Sequence, residues 1–115
     1  MNIPQIISKS EATLGEMGQL YLAGGKDVAL RQWELSPCDF TPPIRRDYEI
    51  VGCLISGSME LDVDGQPAKI HPGDSWLIPK GSAHRYRVLE DAVAIEATCP
   101  PARYNNRDEP EGKKP

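Results

Sequence analysis

Long apolar runs are missing from this chain. None exceeds a few residues, whereas a membrane-spanning helix needs about 20. An excess of positive charge is missing too. Thirteen Lys and Arg stand against seventeen Asp and Glu, a formal charge of −4. With no cationic field, nucleic acid and anionic membrane surfaces are excluded as main partners. Cysteine is scarce and odd in number: Cys38, Cys53 and Cys99 form no CxxC pair. That pattern argues for reduced thiols in a cytoplasmic protein over disulfides or zinc. Residues 1–7 lack the cationic start and apolar segment of a signal peptide. No Ser-His-Asp order and no phosphate-cradling glycine loop occurs.

Turn-forming residues, by contrast, are plentiful. Eleven prolines and ten glycines among 115 residues favour a turn-rich, all-β domain with one modest core. Residues 1–20 mix residue types without a period and suit an N-terminal arm. Residues 21–104 carry the strand patterns, and residues 105–115 form a polar, flexible tail.

The strand patterns are read from alternation. In "VALRQWELSP" (28–37), Ala29, Arg31, Trp33 and Leu35 share one face. The loop "CDFTPPIRRD" follows, its paired prolines removing two backbone donors. "YEIVGCLISG" is a nearly continuous apolar run ending at Ser56-Gly57. "SMELDV" then alternates up to Asp64-Gly65, a dipeptide suited to a tight hairpin with positive φ. "PAKI", "WLI" and "AHRYRVL" are further short strands. A last strand, "DAVAIEATC", places Val93, Ile95 and Ala97 toward the core.

The chain has only two histidines, and their surroundings differ. His84, Tyr86 and Val88 share a face opposite Arg85 and Arg87. Arginines prefer water, so His84 and Tyr86 point inward. Lys69 shares the face of His71, which sends His71 outward.

From Gly73 onward the spacing G-x5-P-x-G-x2-H is filled by Gly73, Pro79, Gly81 and His84, with Val88 at the usual Asn position. Gly57 matches the glycine that ends a preceding motif. On these residues, stretch 48–101 resembles a small single-domain cupin with a degenerate first motif. The resemblance implies an all-β fold, the cupin double-stranded β-helix or jelly-roll barrel, and a homodimer. It also implies a divalent metal (Zn, Fe, Mn or Ni) held by two histidines, an acid and a further histidine. Here the paired-histidine positions fall on Ile44 and Arg46, and the acid position on Ile50. Only His84 remains, and such sites need three or four ligands. No metal is favoured. A bulge that turned Glu49 inward would let Glu49 and His84, with Asp47, share an ion.

A closed barrel would place Arg46, His84 and Tyr86 at a pocket mouth lined by Ile50, Leu54 and Met59. Arg46 can bind a carboxylate through paired donors. His84 exchanges protons near neutral pH and Tyr86 adds a hydroxyl, making these two the candidate catalytic residues. The expected function is binding of a small carboxylate or sugar acid by a cupin that has largely lost its metal site. The alternative is a metal-dependent isomerase, lyase or dioxygenase acting on a small acidic substrate. A third reading is an interaction module whose barrel is filled by its own side chains. A dimer would cover Trp33, Leu35 and Trp76.

Overall fold

The computed structural model describes residues 4–105 and 107–108. A 3-10 turn at Lys9–Glu11 precedes seven strands: β1 (Thr13–Leu14), β2 (Leu20–Gly24), β3 (Ala29–Leu35), β4 (Glu49–Val63), β5 (Gln66–Ile70), β6 (Ser75–Ile78) and β7 (His84–Cys99). All pairings between these strands are antiparallel. No α-helix occurs among the described residues, so none is long and apolar enough to cross a membrane.

The long strands β4 and β7 run side by side from the pair Glu49↔Cys99 to the pair Val63↔His84. The other edge of β4 is shared by two short strands. β6 takes Ile50–Cys53, and β5 takes Met59–Val63. Between these stretches the β4–β7 register shifts, from Leu54 to Met59. Gly57 lies in that interval with φ +89°, and a Cβ there would fall 2.2 Å from the Asp91 carbonyl oxygen. The chain therefore bends at Gly57 through a bulge and continues, where the sequence pattern suggested that a strand ends. Asp64 and Gly65, at φ 51° and 82°, make the hairpin turn that their side chains favour.

Bending brings one face of the sheet around a common core that includes Ile50, Leu54, Met59, Ile78, Val88 and Ala94. Ile50, Leu54 and Ile78 are each 1% exposed, and burying each stabilises the fold by about 1.5–3 kcal/mol. On the other side of β7, β3, β2 and β1 extend the sheet in that order. Residues 13–20, expected within an N-terminal arm, thus belong partly to the sheet, and Gln19 is buried. Of the expected flexible tail, Arg107 and Asp108 fold back against the barrel. Asn106 and residues 109–115 lie outside the described residues.

The facing of β7 corrects one expectation. Ala92, Ala94, Glu96 and Thr98 are buried, while Val93, Ile95 and Ala97 are only partly covered. The strand is unbroken, and past the exposed Leu89, Glu90 and Asp91 the parity set by His84 and Val88 resumes, with every even-numbered residue from 92 to 98 inside. Trp33, Leu35 and Trp76, named above as residues a dimer would cover, are partly buried in the single chain, where they pack against the barrel's own core.

Candidate functional site

The interior is not uniformly hydrocarbon. β3 and β7 pair Arg31 directly with Glu96, and both side chains point inward. On the far side of Glu96 the next strand carries Gly52, and beyond it β6 carries Trp76. A Cβ at Gly52 would lie 2.6 Å from the Trp76 ring. The missing side chain is what lets the indole lie across the sheet, edge-on to Tyr86 at 6.4 Å.

Arg31 is 4% exposed and Glu96 2%. Arg31 Nε donates to Glu96 Oε1 at 3.0 Å, and Nη2 lies 3.0 Å from the same oxygen. Trp33 Nε1 donates to that oxygen at 2.8 Å, and Tyr86 Oη donates to Glu96 Oε2 at 2.7 Å. Arg31 Nη1 donates to Tyr48 Oη at 3.2 Å and to Asp108 Oδ1 at 3.1 Å. Its guanidinium lies over the rings of Trp33 and Tyr48, at 5.1 and 5.4 Å. The Asp108 carboxylate also accepts from the hydroxyls of Tyr48 and Tyr21, the latter at 2.6 Å.

Burial alone would weaken the Arg31 charge. Glu96, with Tyr48 and Asp108, outweighs burial and holds the guanidinium protonated. Burial, then Glu96, pushes the Tyr86 hydroxyl well above its usual range, so it stays protonated and donates to Glu96. Burial likewise raises Tyr48, and raises Tyr21 to about 12 with help from Asp108. Removing two ions from water costs several kcal/mol each, so such a pair persists only when nearly every lone pair and proton is met. Here Glu96 has partners on both oxygens and Arg31 on all three nitrogens.

The residues singled out from sequence fall into three groups. His84 and Tyr86 do point inward, with ring centroids 5.8 Å apart. His84 is 3% exposed, and burial depresses its pKa below the usual 6.5. Arg46 is half-buried; Nη1 donates to the Asp108 backbone oxygen at 3.1 Å, and its own carbonyl accepts from Gly81. Ile50, Leu54 and Met59 are each 1% exposed within the core. Glu49 is exposed, and the β4–β7 register is regular from Glu49 to Leu54, so no bulge turns its carboxylate inward. Asp47 is exposed and pairs with Lys80 at 3.2 Å. Trp76 packs in the core, and His71 is exposed.

Arg31, Tyr48, Tyr21, Glu96 and Asp108 were not anticipated as site residues. For Arg31 the signal was present, because it shares a face with Ala29, Trp33 and Leu35. For Glu96 it was the even-numbered parity that it shares with His84 and Val88. The donor set does not fit a metal. Among the described residues no group of three or more His, Cys, Asp or Glu is placed to hold an ion. His84 is the barrel's inward imidazole, and Glu96 is already committed to Arg31, Trp33 and Tyr86.

The bent antiparallel barrel is the fold of the cupins. The Cupin domain family matches residues 31–99, and the chain belongs to it. The fold resembles that of KdgF from a Halomonas species, with TM-score 0.74 and 19% identity over 85% of this chain and 94% of that one. An RmlC-like cupin from Shewanella frigidimarina superposes with TM-score 0.76 and 15% identity, over 89% of this chain and 95% of that one. The Clostridium difficile EutQ protein gives TM-score 0.59 and 20% identity, over 82% and 79%. A curated but uncharacterized protein of Aquifex aeolicus is 28% identical over 67 residues, which cover 58% of this chain. The chain spans about half the length of that relative, 54%. The fold is thus shared with proteins of varied function.

Proposed function

We propose that this cupin binds a small acidic molecule, a carboxylate or sugar acid, at the end of its barrel where Arg46, His84 and Tyr86 lie. One observation supports this most. Arg31 and Arg46 both reach the same residue outside the sheet, Asp108, and of the three groups set around Arg31 only Glu96 is a strand carboxylate. Two guanidiniums therefore stand against a single carboxylate of the sheet, Glu96, at that point, and a guanidinium offers paired donors to an anion. Ile50, Leu54 and Met59 fill interior volume with hydrocarbon, which confines a ligand to the polar end.

His84, neutral near pH 7 because it is buried, offers one donor or acceptor to the ligand. Tyr86 holds Glu96 in place and is a positioning residue. In this reading Glu96, the inward carboxylate, serves Arg31, Trp33 and Tyr86 and not a metal ion.

The protein also works as a homodimer in this reading. Leu30, Ala97, Val51 and Leu77 stand in register across β3, β7, β4 and β6 on the outer face. Leu30, Val51 and Leu77 are 41%, 51% and 53% exposed, and Ile55 beside them 54%. A second copy is the partner that would cover this row.

A thermal-shift screen tests the binding role, comparing simple carboxylates and uronic acids with their uncharged amides and parent sugars. Acids should raise the melting temperature and their neutral counterparts should not. Equal shifts for both, or none for any acid, would defeat the proposal.

A further inference from the structure

We infer that Arg31, Tyr48 and Tyr21 form a carboxylate receptor that the chain's own Asp108 fills at rest, and that an acidic ligand enters by displacing the segment carrying Asp108. This rests on the acidic-ligand reading above and gives it a site and a gate.

The cradle is built from donors whose direction is already fixed. Gln19 Nε2 donates to Tyr21 Oη at 2.9 Å. That occupies the oxygen's acceptor side and leaves the Tyr21 proton to point at Asp108 Oδ2. Tyr48 is set in the same way: Arg31 Nη1 donates to its oxygen, so its proton goes to Asp108 Oδ1. Gln19 is itself held, because its Oε1 accepts from the Met17 amide at 2.9 Å. Gly15 leaves the room, since a Cβ there would meet the Gln19 amide carbon at 2.3 Å. Two hydroxyls and a guanidinium thus converge on one carboxylate, with their alternatives taken. Donors preorganised in this way bind an anion without reorganising.

The segment that supplies this carboxylate lies outside the sheet. Residues 101–105, 107 and 108 lie in no strand; turn hydrogen bonds among them include Tyr104 N to Pro101 O and Arg107 N to Tyr104 O, at 3.4 and 3.3 Å. Arg107 Nη1 adds bonds to the Pro101 and Tyr104 carbonyls. Segments with so few ladder bonds open at far lower cost than the sheet. A cleft of about 540 Å³ lies against Asp108, walled by Met17, Gln19 and Tyr21 on one side and Arg103 and Tyr104 on the other. That is room for a small molecule. The ligand so defined is a small carboxylic acid whose carboxylate replaces that of Asp108 and whose body lies against Met17, Gln19 and Tyr21, the wall of the cleft that stays in place.

The test is calorimetric titration of wild type, D108N and D108A with acetate, malonate and D-glucuronate. Alongside it, trypsin cleavage after Arg103 is followed in wild type with and without each acid. Removing the internal competitor should tighten binding of at least one acid by about tenfold or more, the factor by which a mostly closed site lowers apparent affinity. Y21F in the D108N background should weaken it again. Saturating acid should speed cleavage of wild type, a readout that holds even if the variants fold poorly. Equal affinity in wild type and both Asp108 variants, with cleavage unchanged, would overturn the gate while leaving acid binding intact. Absence of binding to every form would overturn both.

Discussion

Arg31 and Glu96 face each other across adjacent strands and bond inside the barrel at 3.0 Å, each almost fully buried. Their losses are not equivalent. Without Arg31, Glu96 keeps the Trp33 and Tyr86 donors. Without Glu96, both donors lose their acceptor while Arg31 keeps Asp108 and Tyr48. R31A should cost about 3–5 kcal/mol, as removal of one buried partner does. E96A should cost about 1–3 kcal/mol more, the penalty for buried polar groups left unpaired. The double variant R31M/E96L should recover part of the loss. Urea denaturation of the three proteins checks the order; R31A proving worse than E96A would contradict it.

His84 should make stability depend on pH. Burial lowers its folded pKa below the 6.5 of an exposed histidine. Its contribution is complete above 6.5 and disappears as pH falls from there toward the folded value, because the unfolded chain takes up a proton that the folded chain resists. Melting temperature should drop between about pH 7.5 and 5.5, and H84Q should flatten that drop while substitution of the exposed His71 should not. Equal slopes in wild type and H84Q would show that the imidazole is not held neutral.

Two glycines define the barrel's curvature and its interior, and they should respond differently to alanine. At Gly57 the new Cβ meets backbone, the Asp91 oxygen at 2.2 Å and Ala92 Cα at 2.7 Å, at a φ of +89°. Strain and overlap together give about 2–6 kcal/mol. At Gly52 it meets the Trp76 ring at 2.6 Å, and the indole can shift at a cost of about 1–3 kcal/mol. G52A should therefore fold, with altered Trp76 fluorescence, and G57A should be the less stable of the two in thermal melts.

The outer row should control assembly. Light scattering at micromolar concentration should give the mass of two chains. V51E or L77E, placing charge in the exposed row, should give the mass of one. A wild type that remains monomeric would remove the dimer from this account.

Much of the barrel was legible because local chemistry and global fold agree. Asp64-Gly65 turned where its φ preference requires, and Arg85 and Arg87 in alternation with His84 and Tyr86 gave the facing of β7's first half. The second half misled because both of its faces are largely apolar. Val93, Ile95 and Ala97 look like a core and lie on the outer face, whereas the inward set includes Glu96. Arg31 was grouped with Ala29, Trp33 and Leu35, but the alternation left open which face of that strand turns inward, and a charge alone gives no reason to expect burial until its partner is known. Asp108 was beyond reach of pattern reading: it meets Arg31 across 77 residues of sequence, from a stretch whose polarity suggested solvent.

Everything turns on whether an acid enters the end of the barrel that Arg31 guards. Nitrogen-15 NMR on wild-type protein would report this through two signals, the Arg31 Nε–H and the Trp33 indole N–H, both bonded to Glu96. On titration with a small carboxylate the two should shift together and saturate, while the matching amide leaves them unmoved. If both signals stay fixed while the acid binds elsewhere, or binds nowhere, the barrel interior is not a receptor for acids.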